Sequence, residues 1–130
     1  MVKTDIRVIY GDTDQMGFVY YANYLRFFES GRNEYLRAKG APYREVEAEL
    51  GIRLPVVEAH VHYKTPARYD DLLVVETVLA QLRRASARFE YVVRRDGEPL
   101  VTGHTVHACI DFDGSVQRLP QSLVARLQTG

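Results

Sequence analysis

One long amphipathic segment constrains this chain more than any other stretch. From about Tyr21 to Lys39, apolar residues recur at Tyr21, Tyr24, Leu25, Phe28, Gly31, Tyr35 and Leu36. Offsets of three and four place them on one face of a helix, with Asn23, Arg26, Ser30, Asn33, Glu34 and Arg37 on the other. Gly40 supplies the stop signal. Gly31 falls inside the apolar stripe, where glycine costs about 1 kcal/mol against alanine. Close approach of this helix to a sheet is the expected return.

The rest of the chain reads mainly as strand. Ile6, Val8 and Tyr10 alternate ahead of the long helix, and a shorter helix is expected from Pro42 to Leu50, stopping at Gly51. Beyond it, Val57, Ala59, Val61 and Tyr63 alternate with Glu58, His60, His62 and Lys64 in a strand from Val56 to Thr65. Leu72–Leu82 is apolar on both faces at several positions, as in a central strand. Ala87, Phe89, Tyr91 and Val93 mark the next strand, and Leu100–Phe112 a long final one. Asp96-Gly97 and Asp113-Gly114 are hairpin turns, and Pro120 opens a short C-terminal helix carrying Leu123, Val124 and Leu127. Successive hairpins demand an antiparallel sheet, which one buried helix covers on one face. The expectation is an α+β fold in a single domain spanning 1–130. Apolar residues on the sheet's other face call for oligomerisation.

Composition excludes several functions. Seventeen basic and seventeen acidic side chains cancel, so no global field points to nucleic acid or an acidic membrane. Apolar runs such as Leu72–Val75 are far short of the roughly 20 residues that span a bilayer. The opening Met1-Val-Lys-Thr-Asp lacks the apolar stretch of a secretion signal. Cys109 is the only cysteine, so no internal disulfide forms, which suits a reducing compartment and a cytoplasmic location.

The chemistry concentrates in Tyr10-Gly-Asp-Thr-Asp-Gln-Met-Gly-Phe-Val-Tyr-Tyr-Ala-Asn-Tyr24, with Glu29 just beyond. Two carboxylates and two glycines stand where the first strand meets the long helix. Backbone N–H groups at a helix N-terminus polarise a carbonyl while an adjacent acid attacks it or activates water. That is apparatus for acyl transfer. Asp14 taken alone has a plainer reading, since Asp favours loops where it bonds nearby N–H groups.

The segment Asp12-Thr13-Asp14, Gly17, Val19-Tyr20, Tyr24 and Glu29 closely resembles the signature of the hot-dog-fold acyl-CoA thioesterases. The nearest branches are the 4-hydroxybenzoyl-CoA thioesterase group and the short acyl-CoA thioesterases encoded beside the bacterial Tol-Pal genes. Weaker likeness extends to Lys64-Thr65-Pro66 and Tyr69-Asp70-Asp71. The resemblance implies an antiparallel sheet wrapped around one long α-helix, paired into a homodimer or homotetramer with active sites at the dimer interface. It implies Asp14 as the catalytic carboxylate, either nucleophile or general base, with Asp12 structural and Gly17 freeing the loop to turn. It also implies that the Tyr21 amide holds the thioester oxygen; the Tol-Pal-associated branch carries His at this position. Tyr24 belongs to the pocket wall. Glu29 aligns with a helix position that is catalytic in another hot-dog branch, and its plainer reading is an ion pair with Arg32. Arg83, Arg84 and Ser86 lie where family members hold the CoA phosphates, a role that Arg suits through its planar fork; surface exposure is the alternative.

No cofactor is implied, because a thioester is already activated and CoA is part of the substrate. His60 and His62 share one strand face and His104 and His107 lie on another strand, but without a third clear ligand these read as polar face residues and no metal is expected. No Gly-x-Ser-x-Gly elbow and no nucleotide-binding glycine loop occurs. The expected activity is hydrolysis of an acyl-CoA to free acid and CoA. Two rivals remain: binding of acyl-CoA or acyl carrier protein without turnover, and dehydration of a 3-hydroxyacyl thioester. The absence of His from the signature loop and the long helix counts against the second.

Overall fold

The computed structural model describes residues 1–128. Five strands form one antiparallel sheet: β1 (Val2–Arg7), β3 (Val56–Tyr63), β4 (Leu72–Leu82), β5 (Ser86–Arg95) and β6 (Glu98–Ala108), in the order β1-β4-β5-β6-β3. The turn between β5 and β6 puts both Asp96 (φ 51°) and Gly97 (φ 82°) in the left-handed region, as a two-residue hairpin requires.

The run of hairpins expected from sequence holds only for β4–β5–β6. β3 crosses to the far edge and pairs with β6, placing His60 opposite His104, while β1 pairs with β4. Burial explains the order. Leu73, Val75 and Thr77 of β4 are fully buried and need neighbours on both sides, whereas almost every residue of β3 is exposed. The long last strand also breaks. The Cys109 amide turns to the Ala85 carbonyl, and β7 (Ile110–Asp111) leaves to pair with β2 (Ile52–Arg53) in a separate two-stranded sheet.

The long helix, α1 (Asn23–Ala38), starts two residues later than its periodicity suggests. It buries Tyr24, Phe27, Phe28, Gly31, Tyr35 and Leu36, so Phe27 turns inward while Tyr21 and Leu25 face out. Gly31 does provide the close approach: a Cβ there would lie 2.5 Å from Thr77 Oγ1 and 2.9 Å from Val75 Cγ1. Phe28 stacks on Tyr91 of β5 with ring centroids 4.3 Å apart. Two short helices, α2 (Tyr43–Leu50) and α3 (Gln121–Leu127), close the helix side through Val46, Leu123 and Leu127.

The sheet's outer face is less apolar than expected. Lys3–Glu76–Arg94, Arg88–Glu90 and Glu58–His104 pair across it. Exposed apolar surface instead collects at Val56, Val57 and Tyr63 of β3 and around the start of α1, at Tyr10, Met16 and Tyr21. Among the described residues, no helix is long and apolar enough to cross a membrane.

Candidate active site

The segment between β1 and α1 is held by two carboxylates with different duties. Asp12 is buried and anchors the loop. Its Oδ2 accepts from the Ile9 amide at 3.0 Å, its Oδ1 is paired with Arg26 of α1, and its carbonyl accepts from Tyr20 N–H and Asn23 Nδ2. Asp14 organises the tip. Its Oδ1 accepts from the Met16 amide at 2.9 Å and the Phe18 amide at 3.3 Å, and among the described residues Oδ2 accepts nothing. Gly17 adopts φ 81°, and a Cβ there would touch nothing, so backbone turning rather than crowding calls for glycine.

Asp14, Tyr21 and Tyr24 come together around a cavity of about 310 Å³ whose other walls include Phe18, Tyr63, Lys64 and Pro66. The Tyr24 ring is buried against Tyr63 and its hydroxyl accepts from the Ala67 amide. Tyr21 lies in the turn just before α1. Its carbonyl accepts from the Tyr63 hydroxyl at 2.9 Å, and among the described residues its N–H donates no hydrogen bond. Among the described residues, no side chain caps the start of α1. A carboxylate oxygen, an unengaged amide and an uncapped helix start thus meet at one apolar hollow. Such a combination has the chemistry to receive a polarised carbonyl.

The far wall is fixed from β5. Asp71 accepts from the Arg68 amide and from Arg95, both at 2.8 Å, and Arg95 also reaches the Pro66 carbonyl. Burial opposes ionisation of Asp71, but the Arg68 amide and the Arg95 guanidinium outweigh it and hold its pKa below the ordinary carboxylate value. Tyr63 and Arg95 escaped the sequence reading. The Lys64-Thr65-Pro66 and Tyr69-Asp70-Asp71 runs signalled this wall.

The other sequence candidates lie elsewhere. Arg83, Arg84 and Ser86 form the β4–β5 turn, where the Arg83 amide bonds the Ser86 carbonyl. That turn is at the end of β4 opposite Leu72 and Asp71, and an eleven-residue strand separates the two ends by about 30 Å. Within one chain these residues do not reach the Asp14 cavity. Glu29 is also outside it, paired with Arg32 at 3.7 Å on a second cavity of about 280 Å³ between α1, α2 and the start of β3.

His107 closes the floor of that second cavity. Its Nδ1 faces the Leu54 carbonyl and its Nε2 the Thr105 hydroxyl, each at 2.9 Å, and Thr105 bonds Tyr91 at 2.6 Å. Burial, reinforced by the Arg32 charge and only partly offset by Leu54, pushes its pKa down to about 4. The ring is therefore neutral at ordinary pH. His60 and His104 stack on the outer face with centroids 5.4 Å apart. Cys109 is buried, which pushes its thiol pKa up and leaves it unreactive.

A sheet wrapped on a single long helix, with a carboxylate loop at that helix's start, is the hot-dog architecture of thioester hydrolases. The model of the thioesterase-like superfamily matches residues 8–127, and the chain belongs to that superfamily. It is 37% identical over 107 residues to the acyl-CoA thioesterase YbgC of Haemophilus influenzae, covering 82% of this chain and 79% of that protein. It is 33% identical to a putative esterase of Aquifex aeolicus over 94% of both chains. Its fold superimposes on the crystal structure of the hypothetical protein TT1821 from Thermus thermophilus with a TM-score of 0.91, at 37% identity over 96% of this chain and 95% of that one.

Proposed function

We propose that this protein is an acyl-CoA thioesterase that hydrolyses short-chain or aromatic acyl-CoA to free acid and CoA. One observation carries the reading: Asp14 has one oxygen anchored by two loop amides while the other is unengaged at a cavity shared with the Tyr21 N–H. The thioester carbonyl oxygen accepts from that N–H. Asp14 then attacks the carbonyl carbon, expelling the CoA thiolate and leaving an anhydride for water to open, or it takes a proton from the water that attacks. Both routes consume one water and deliver one acid and one thiol. Neither calls on a metal or a redox cofactor.

The same reading includes a homodimer joined along β3. Antiparallel pairing of the two β3 strands extends the sheet across an edge that is unpaired among the described residues, with Val57 62% exposed. Arg83, Arg84 and Ser86 then serve the CoA phosphates from a protomer other than the one that supplies Asp14.

Purified protein incubated with a panel of acyl-CoAs and a thiol-trapping dye tests the proposal. Steady thiol release that falls about 10²- to 10⁴-fold in Asp14→Asn is the expected result. Binding without release refutes it in favour of a carrier of acyl-CoA or acyl carrier protein. Loss of 3-hydroxyacyl-CoA without thiol refutes it in favour of a dehydratase.

A further inference from the structure

On the hydrolase reading, from which this inference starts, the direction of the Tyr21 N–H decides how well the thioester oxygen is held. That N–H belongs to the Tyr20–Tyr21 peptide. Peptide units are planar, so its direction is fixed once the planes on both sides of the Tyr21 Cα are held. On the near side the Tyr20 carbonyl accepts from the Asn23 amide at 2.9 Å, and the Asn23 side chain in turn donates to the Asp12 carbonyl. These bonds are local to the turn and its loop. On the far side the Tyr21 carbonyl lies ahead of α1, and the helix does not claim it: the Leu25 amide, four residues on, bonds Ala22. Its partner is the Tyr63 hydroxyl, which donates at 2.9 Å from 42 positions along the chain.

Tyr63 is built to hold that plane still. It is the last residue of β3, paired with Val101 of β6, and the amides of Lys64 and Thr65 just beyond it both bond the Leu100 carbonyl. Its ring centroid lies 5.6 Å from that of Tyr24, and Tyr21 meets it edge-on at 6.4 Å. The hydroxyl bond itself is open to solvent. Such a bond exchanges readily for one to water and adds little to folding stability. Water, however, would satisfy the carbonyl without fixing its direction, whereas a ring clamped between sheet and helix fixes it.

We propose that Tyr63 is a positioning residue for the reaction: its hydroxyl, anchored at the end of β3, holds the Tyr21–Ala22 peptide and so keeps the Tyr21 N–H directed at the thioester oxygen. The carboxylate of the site thus stands on the loop before α1, while the sheet sets the alignment of the hydrogen-bond donor. The acyl chain takes no part in this bond, so its effect is common to every acyl-CoA. All the contacts lie within one chain.

Tyr63→Phe removes the hydroxyl and keeps the ring. Butanoyl-CoA labelled at its carbonyl carbon and bound to an excess of Asp14→Asn protein reports the polarisation of the thioester through its C=O stretch in isotope-edited infrared spectra. Adding Tyr63→Phe to that protein is expected to raise the frequency toward its value in free solution. In protein that retains Asp14, Tyr63→Phe is expected to lower kcat about tenfold, a part of the 10²- to 10³-fold that outright loss of such a donor costs. KM should change little, and the factor should be the same for butanoyl-CoA and benzoyl-CoA. An unmoved C=O band overturns the proposal, as does kcat at the wild-type level. A loss carried by KM for one acyl group and not the other also overturns it, marking Tyr63 as pocket wall. Each of these results leaves the thioesterase intact, whereas release of CoA from no acyl-CoA at all overturns the hydrolase reading and this role with it.

Discussion

Gly103 offers the sharpest test of how β3, and with it the site, is held. It sits in β6 opposite Val61 of β3 and Tyr91 of β5. A Cβ added there would lie 2.4 Å from the His60 carbonyl oxygen and 2.6 and 2.8 Å from two carbons of the Phe28 ring. Neither obstacle yields easily. The carbonyl is backbone within the sheet, and the Phe28 ring is pinned by its stack on Tyr91. Overpacking of this kind costs about 1–3 kcal/mol, and two fixed obstacles argue for the upper end. Removing a glycine from the unfolded chain returns about 0.4–1 kcal/mol, leaving a net loss near 2 kcal/mol for Gly103→Ala. In a domain of this size that lowers Tm by roughly 6–10 °C. Gly114→Ala is the control, since Gly114 has φ 88° and a Cβ there meets nothing. Its cost is conformational alone, about 1–2 kcal/mol. Thermal melts of the three proteins decide the matter. A Gly103→Ala variant melting at or above wild type refutes the packing argument. Because β3 must shift to admit the methyl group, thiol release should fall along with Tm.

His107 predicts a pH dependence of stability. The unfolded imidazole takes up its proton near pH 6.5, while the folded one resists until about 4, so the unfolded state binds more protons between these values. Stability is therefore full above about 6.5 and falls with pH, losing roughly 2 kcal/mol by pH 5. Denaturant melts from pH 7.5 to 5 should show that slope in wild type and a flatter one in His107→Gln; equal slopes refute it. Arg95→Met removes the tie between Asp71, Pro66 and β5. Both partners are partly exposed, so stability should fall by less than about 1 kcal/mol. KM should rise as the cavity wall loosens, and an unchanged KM argues against the wall's role.

Much of this molecule is written in local pattern. Apolar residues at offsets of three and four announce α1, Asp96-Gly97 announces its hairpin because only such residues accept two left-handed positions in succession, and the Asp12–Glu29 spacing announces the site loop. Gly31 signalled its contact because a glycine inside a helix needs a reason. Periodicity specifies a face only to within one residue, however. It could not tell that Phe27 turns inward and Leu25 outward, since burial depends on the sheet beneath.

Sequence by itself determined the three helices, the main strands and the hairpin turns, and which carboxylate heads the helix, because these depend on neighbours a few positions away. It missed that β1 ends at Arg7 with Tyr10 in a tight turn, that β6 ends at Ala108, and that β2 and β7 pair apart. Only the tertiary structure decided that β3 lies at the far edge, that Glu29 and Asp14 open into separate cavities, and that Arg83 and Arg84 stand at the opposite end of the sheet. Strand order joins residues far apart in the chain, such as His60 and His104. It is settled by which arrangement buries Leu73, Val75 and Thr77 on both sides, a property of the whole core.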